Sequence, residues 1–300
     1  MRRLILLPLL LAAAASAQVA WFVQEENDKF TSDNADRYYT QGLRVCWSTP
    51  DRWHGSVAQE INTPSDRPGI PDDLPFSGVL TASLGRLFLL PEHRAIASVE
   101  GVAGVLGPSS RARQVQNGFH GLIGTAGYDW DRQMPDEPVA NLNAEIRRRF
   151  DLDGPEVARW DLIARARASL GTLRSGVSLG AQLRFGALDQ GWGHGYLRQS
   201  NSFVDPLGPE DPGRDGWCFF VDASVEVMPR DYATDGPAFA DFAFEAPVES
   251  RPLVGQLGLG IQTRLDGFVF SFGVANRTKE FSGQLGSGHV FGSFRFAFVY

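Results

Sequence analysis

The run FVQEENDKFTSDNADRYYTQGLRVCW, Phe22 to Trp47, concentrates oxygen donors. It carries the carboxylates of Glu25, Glu26, Asp28, Asp33 and Asp36 and the amides of Asn27 and Asn34, against a single lysine, Lys29. Carboxylate, amide and hydroxyl oxygens are the ligands a hard cation such as calcium selects. The spacing is not that of an EF-hand, and a solvated acidic loop rich in turn-forming Asx residues would read the same way, so both readings stand. A second constellation is GVLGPSSRARQVQNGFHGLIG, Gly104 to Gly124. Its stretch RARQVQNGFHGLI is free of proline, and Gln116 and His120 stand four apart, so a helix there would put both on one face. A histidine near a cation is a candidate general base, because an unperturbed imidazole titrates near ~6.5. A lone histidine is more often structural, and His54, His93, His194 and His289 lack comparable company. The two cysteines, Cys46 and Cys218, form no Cys/His ligand cluster, which argues against zinc; they read as structural thiols.

The elements that must position these groups are strands. Alternation with period two dominates the chain. Val177, Leu179, Ala181, Leu183 and Phe185 alternate with Ser178, Gly180, Gln182 and Arg184; Phe219, Val221, Ala223, Val225 and Val227 alternate with Phe220, Asp222, Ser224 and Glu226. Charges in mid-strand need a wet or paired interior, as a barrel lumen provides. The closing stretch FRFAFVY sets Phe294, Phe296, Phe298 and Tyr300 on one face and Arg295 on the other. An aromatic edge strand invites aggregation unless it closes a sheet. Twelve strands are expected, over 19–25, 38–48, 56–61, 77–88, 93–104, 139–150, 158–170, 175–186, 217–228, 253–265, 267–279 and 289–300. The expected fold is therefore all-β: a transmembrane antiparallel β-barrel, with a short helical segment in an extracellular loop. An even count puts both termini in the periplasm and the segments 26–37, 62–76, 105–138, 171–174, 229–252 and 280–288 outside. On the second strand, Tyr39, Leu43, Val45 and Trp47 should face lipid, and Thr40, Gly42, Arg44 and Cys46 the lumen. The segment 187–216 is too long for a periplasmic turn and suggests an additional hairpin.

Residues 1–17 have the form of a secretory signal peptide: basic Met1-Arg2-Arg3, apolar Leu4 to Ala14, and small-x-small Ala15-Ser16-Ala17. The remainder, 18–300, reads as one barrel domain. Net charge is −7 and becomes more negative once Arg2 and Arg3 are removed, so there is no basic patch to neutralise nucleic-acid phosphates.

The pair ENDKF…DRYYTQGLR and GVLGP…QVQNGFHGLIG, with WDRQMPDEP (Trp130 to Pro138) following, resembles the outer-membrane lipid A 3′-O-deacylase family. The resemblance implies a twelve-stranded, calcium-dependent esterase that removes the 3′-linked acyloxyacyl group from lipid A. It places the family's Asn-Asp pair on Asn27 and Asp28, its threonine on Thr40, its glutamine on Gln116 and its histidine on His120. Six residues beyond the histidine, where a family glutamate is expected, this chain has Ala126, so either Asp129 or Asp131 stands in or the histidine has no acidic orienter. Arg67, in the second outer loop, could pair with a lipid A phosphate, since arginine grips phosphate bidentately. A monomer embedded in the outer membrane, with lipopolysaccharide as its partner, is expected. Two rivals compete: a serine esterase using Ser109 or Ser110, without a GxSxG context, and a non-enzymatic porin or adhesin.

Overall fold

The computed structural model describes residues 20–31, 37–65, 74–90, 94–152, 154, 158–187, 191–198, 215–244 and 248–298. The proposed signal peptide, Arg67 and Tyr300 lie outside them. Twelve antiparallel strands form a closed barrel: β1 Ala20–Asn27, β2 Tyr38–Ser48, β3 Trp53–Thr63, β4 Ser77–Leu89, β5 Ala95–Leu106, β6 Glu137–Leu152, β7 Arg159–Gly171, β8 Arg174–Gly186, β9 Gly216–Asp231, β10 Leu253–Leu265, β11 Phe268–Thr278 and β12 Gly288–Phe298. The sheet closes where β1 meets β12, from Trp21 opposite Phe298 to Asn27 opposite Gly292. Every expected strand is present, with its ends moved by three residues or fewer. No described helix is long and apolar enough to cross a membrane.

Alternation sorts the side chains as the sequence demands. Leu179, Phe219, Val221, Val225, Val227, Leu257 and Leu259 are exposed on the outer wall, while Gln182, Arg184, Asp222 and Glu226 are buried inside. Phe268, Phe270 and Phe272 of β11 meet Phe294, Phe296 and Phe298 of β12 in a ladder of rings 4.5–6.1 Å apart. Trp21, Trp47, Trp53, Trp160 and Trp217 stand on the outward face at the periplasmic ends of their strands, an aromatic girdle of the kind that sits at a membrane interface.

The lumen is filled, not open. Arg165 pairs with Asp222, Arg184 with Asp161, Arg167 with Glu145, and Arg277 with Glu226 and Glu280. A buried ion left without its partner would cost several kcal/mol. The connection from β8 to β9 adds a plug. Its described part, 191–198, is an irregular segment inside the barrel with no hairpin of its own, and the rest of the hairpin expected in 187–216 falls largely outside the described residues. Such a strand has no ladder of its own, so the wall must satisfy its backbone. Arg147 bonds the Trp192 carbonyl, Arg295 bonds that of Gly193 at 3.3 Å, Gln24 donates to the Gly195 carbonyl at 2.7 Å, and the Leu197 amide donates to Glu26 at 2.7 Å. The segment climbs from Trp192, packed by Leu87 and Ile96 near the periplasmic end, to Arg198, which pairs with Glu60, Asp231 and Glu280 near the outer end.

One local irregularity reverses two expected facings. Register shifts between Tyr39 and Gln41, so Thr40 is an extra residue against β3. Such a bulge re-aims the side chains beside it. Tyr39 therefore turns into the lumen, donating to Glu26 Oε2 at 2.9 Å and packing on Phe291. Thr40 turns instead toward Thr63, with their hydroxyls 2.7 Å apart. Thr63 lies on the outward face of β3, in phase with exposed Val57 and with Ile61. The outward face for Tyr39 and the lumenal one for Thr40, expected from strict alternation, are both overturned by this one inserted residue.

Candidate functional site

Helix α1, Ala112–Leu122, carries the histidine. A turn at Pro108–Ser110 precedes it, and Arg111 enters it with φ 62. Gly124, with φ 75, follows its last turn, a backbone setting that glycine adopts without strain. Ala112, Gln116 and His120 form its buried face at helical spacing, as the sequence predicts. The helix lies against the outer wall of the barrel. Ala112 and Trp130 pack with Ile61 of β3 and with Phe76, and a Cβ on outward-facing Gly78 of β4 would come within 2.2 Å of the Ala112 Cβ. The Gln59 side chain donates to the Ser110 carbonyl at 2.7 Å and fastens the start of the helix to β3.

Two bonds set the candidate side chains. Trp130 Nε1 donates to Gln116 Oε1 at 3.0 Å, while Gln116 Nε2 is buried with no partner among the described residues. His120 Nδ1 lies 2.9 Å from the Ala126 carbonyl oxygen, and its ring packs on Tyr128 at 5.2 Å. A carbonyl oxygen can only accept, so Nδ1 carries the proton and Nε2 the lone pair. At the position where the resemblance implied an acid, the main chain thus supplies the acceptor. Asp129 Oδ1 takes the Asp131 amide at 3.1 Å, and Asp131 pairs with Arg113 at 3.4 Å. Asn117 locks the returning loop, bonding the Tyr128 carbonyl and amide at 2.9 and 2.8 Å. Sequence reasoning missed Tyr128, and quoted Asn117 and Trp130 only as parts of motifs. Their role depends on a loop folding back across the helix, which no local pattern reveals.

The acidic run occupies the neighbouring wall. Asp28 is fully buried just past β1, and its Oδ2 accepts the Arg37 amide at 2.9 Å. Asn27, on the outward face of β1, accepts the Lys29 amide at 2.8 Å and caps the short turn Asp28–Phe30. Gln41 reaches Glu25 at 3.0 Å on the same outward face. Thr40 and Thr63 then lead across β2 and β3 to Ile61, on which α1 packs. Asn27, Asp28 and Thr40 therefore stand at the outer ends of β1 and β2, and Gln116 and His120 on the helix covering β3 and β4, all along one side of the wall. The donor set from the loop is oxygen only: a buried carboxylate, an amide and main-chain carbonyls. That suits a hard cation by chemistry. No group of three or more His, Cys, Asp or Glu among the described residues could hold a metal, so such a cation would lean on carbonyls and water, as calcium tolerates. The serines of the rival reading are engaged in the turn before the helix: Ser109 with Asp136 at 2.9 Å and Ser110 with the Gly107 carbonyl at 2.6 Å.

Comparison with known proteins bears on the family and the fold. A family model described as outer membrane protein LpxR matches residues 3–300. No curated protein sequence matches the chain. Among solved structures, the fold is similar to that of LpxR from Salmonella typhimurium, with a TM-score of 0.76 at 19% identity, covering 94% of this chain and 100% of that one. The β domain of the Bordetella autotransporter BrkA aligns over 95% of this chain and 100% of its own, with a TM-score of 0.46 at 10% identity.

Proposed function

The chain belongs to the LpxR family of outer-membrane proteins, and from that premise we propose that it is a lipid A deacylase, hydrolysing the ester that links the 3′ acyloxyacyl group. The observation that carries the reading is the pairing of His120 Nδ1 with the Ala126 carbonyl, which makes Nε2 the basic nitrogen, beside a Gln116 amide with a spare donor. His120 Nε2 takes a proton from water, and the resulting hydroxide adds to the ester carbonyl carbon. Gln116 Nε2–H donates to the developing oxyanion, the kind of preorganised donor that stabilises a tetrahedral intermediate. The carbon–oxygen ester bond then breaks, the proton held by His120 passes to the leaving sugar alkoxide, and a free fatty acid remains. Thr40 orients the incoming water. Asp28, with Asn27, would hold a calcium ion, which when bound supplies positive charge to polarise the ester carbonyl. Arg67 is assigned to a lipid A phosphate.

The test is the mass of lipid A after incubation with purified, folded barrel in calcium and in excess chelator. Loss of the acyloxyacyl mass in calcium alone is expected. Intact lipid A under both conditions removes the deacylase reading, and hydrolysis undiminished in chelator removes calcium from it.

A further inference from the structure

Helix α1 has a second face that the esterase reading does not use. Val115, Phe119, Leu122 and Ile123 are 38%, 51%, 83% and 51% exposed. At about 100° per residue they fall in one sector about 100° wide, the width of an amphipathic stripe that faces an apolar phase. Arg113, Gln114, Asn117 and Gly121 occupy the other side. Nothing in the described protein covers the apolar sector, so what covers it depends on where the helix sits relative to the membrane.

The strand beneath it gives that height. Trp53, on the outward face of β3, marks the periplasmic girdle, and Ile61, eight residues on along the same strand, is the outward residue on which α1 packs. At roughly 3.3 Å per residue, with a strand tilt of about 40°, Ile61 stands about 20 Å above the girdle. The apolar band of an outer-membrane barrel is about 25 Å tall. The start of α1 therefore lies at the upper edge of that band, directly above lipid-exposed Val57 and Leu84. The exposed sector continues the barrel's lipid-facing belt.

We propose that α1 is an interfacial membrane helix, its Val115, Phe119, Leu122 and Ile123 sector embedded among the acyl chains of the outer leaflet. Its partner is the lipid surface, not a protein. The inference rests on the outer-membrane barrel and stands whether or not the site is an esterase. An amphipathic helix with an apolar sector at this depth gains by burying it at the headgroup–acyl boundary. Gln116 and His120, on the adjoining sector, are thereby held at the level where a lipid's acyl esters lie.

The experiment places a nitroxide at one position per variant, Phe119→Cys, Leu122→Cys or Gln114→Cys, in the full chain. Cys46 and Cys218 are buried in the folded barrel, so labelling of folded protein is confined to the introduced thiol, with unlabelled parent as the check. The barrels are reconstituted in vesicles of phosphatidylethanolamine and phosphatidylglycerol containing lipopolysaccharide. Collision rates with oxygen, which concentrates in acyl chains, and with a water-soluble nickel chelate are then measured. The oxygen-to-nickel ratio at 119 and 122 should exceed that at 114 severalfold. Equal ratios at all three positions would overturn the proposal, as would labels at 119 and 122 shielded from both reagents, which would mean that protein covers the face.

Discussion

His120 is oriented by a main-chain carbonyl, and this has consequences for single-residue changes. The Ala126 oxygen fixes the tautomer without adding a charge, so the proposed base needs no acidic partner to present Nε2. His120→Asn keeps polarity and similar bulk. It should insert normally, judged by anomalous migration of unboiled barrel on a denaturing gel, yet lose roughly 10²–10⁴-fold in deacylation rate, the usual range for positioned proton transfer. A rate within threefold of the parent would remove His120 from the role. Gln116 depends on Trp130 in the same way. Trp130→Phe removes the donor to Gln116 Oε1 and leaves a buried acceptor unmet, at about 1–3 kcal/mol. Because the amide then has reason to turn over, kcat should fall while KM for lipid A stays near the parent value. A change confined to KM would mean that Gln116 binds substrate and does not stabilise the oxyanion.

At the scale of elements, the site depends on how tightly α1 is pressed on the wall. Gly78 is the contact point, since a Cβ there would meet the Ala112 Cβ at 2.2 Å and the Ser110 Oγ at 2.5 Å. Gly78→Ala should lift the start of the helix, and displacements of about 1 Å at a site can cost 10²-fold in rate. The control is Gly101→Ala on the neighbouring strand, where the nearest atom to an added Cβ is 4.0 Å away. Both variants should fold as barrels, and only the first should lose activity. Equal activity in the two would show that the helix finds its place without this contact.

At the scale of the whole molecule, the plug and the Arg–acid pairs make the interior solid. Arg165 is buried against Asp222, and Asp222→Asn would leave that guanidinium without its charge partner, at about 3–5 kcal/mol. The temperature at which unboiled barrel loses its anomalous migration should fall accordingly, and an unchanged midpoint would mean that Glu145 compensates. The parent protein should also show no steady conductance in a planar bilayer, because residues 191–198 thread the lumen. Porin-like conductance would contradict the packed interior. The filled lumen and the outer-wall position of α1 are two sides of one architecture, in which the inside is structural and the proposed chemistry faces the leaflet.

Strand number, boundaries and most facings were legible in the sequence, because each follows from a period-two pattern that local residues write directly. So were the positions of His120 and Gln116 on one helical face, from spacing alone. Asn27, Asp28 and Thr40 were singled out through their motif, not through any spatial signal. Three things belonged to the tertiary structure. The bulge at Thr40 inverts Tyr39 and Thr40, because register is decided by the partner strand. Residues 191–198 after β8 form a plug, because their backbone is bonded by side chains gathered from around the barrel, Gln24 and Glu26 of β1, Gln182 of β8 and Arg295 of β12. The carbonyl that orients His120 belongs to Ala126, a residue whose side chain offers no signal, and only the loop folding back onto α1 brings that oxygen within bonding distance. Local periodicity fixes what a residue's own neighbours require; a backbone oxygen becomes a functional group only through the contact that the fold creates.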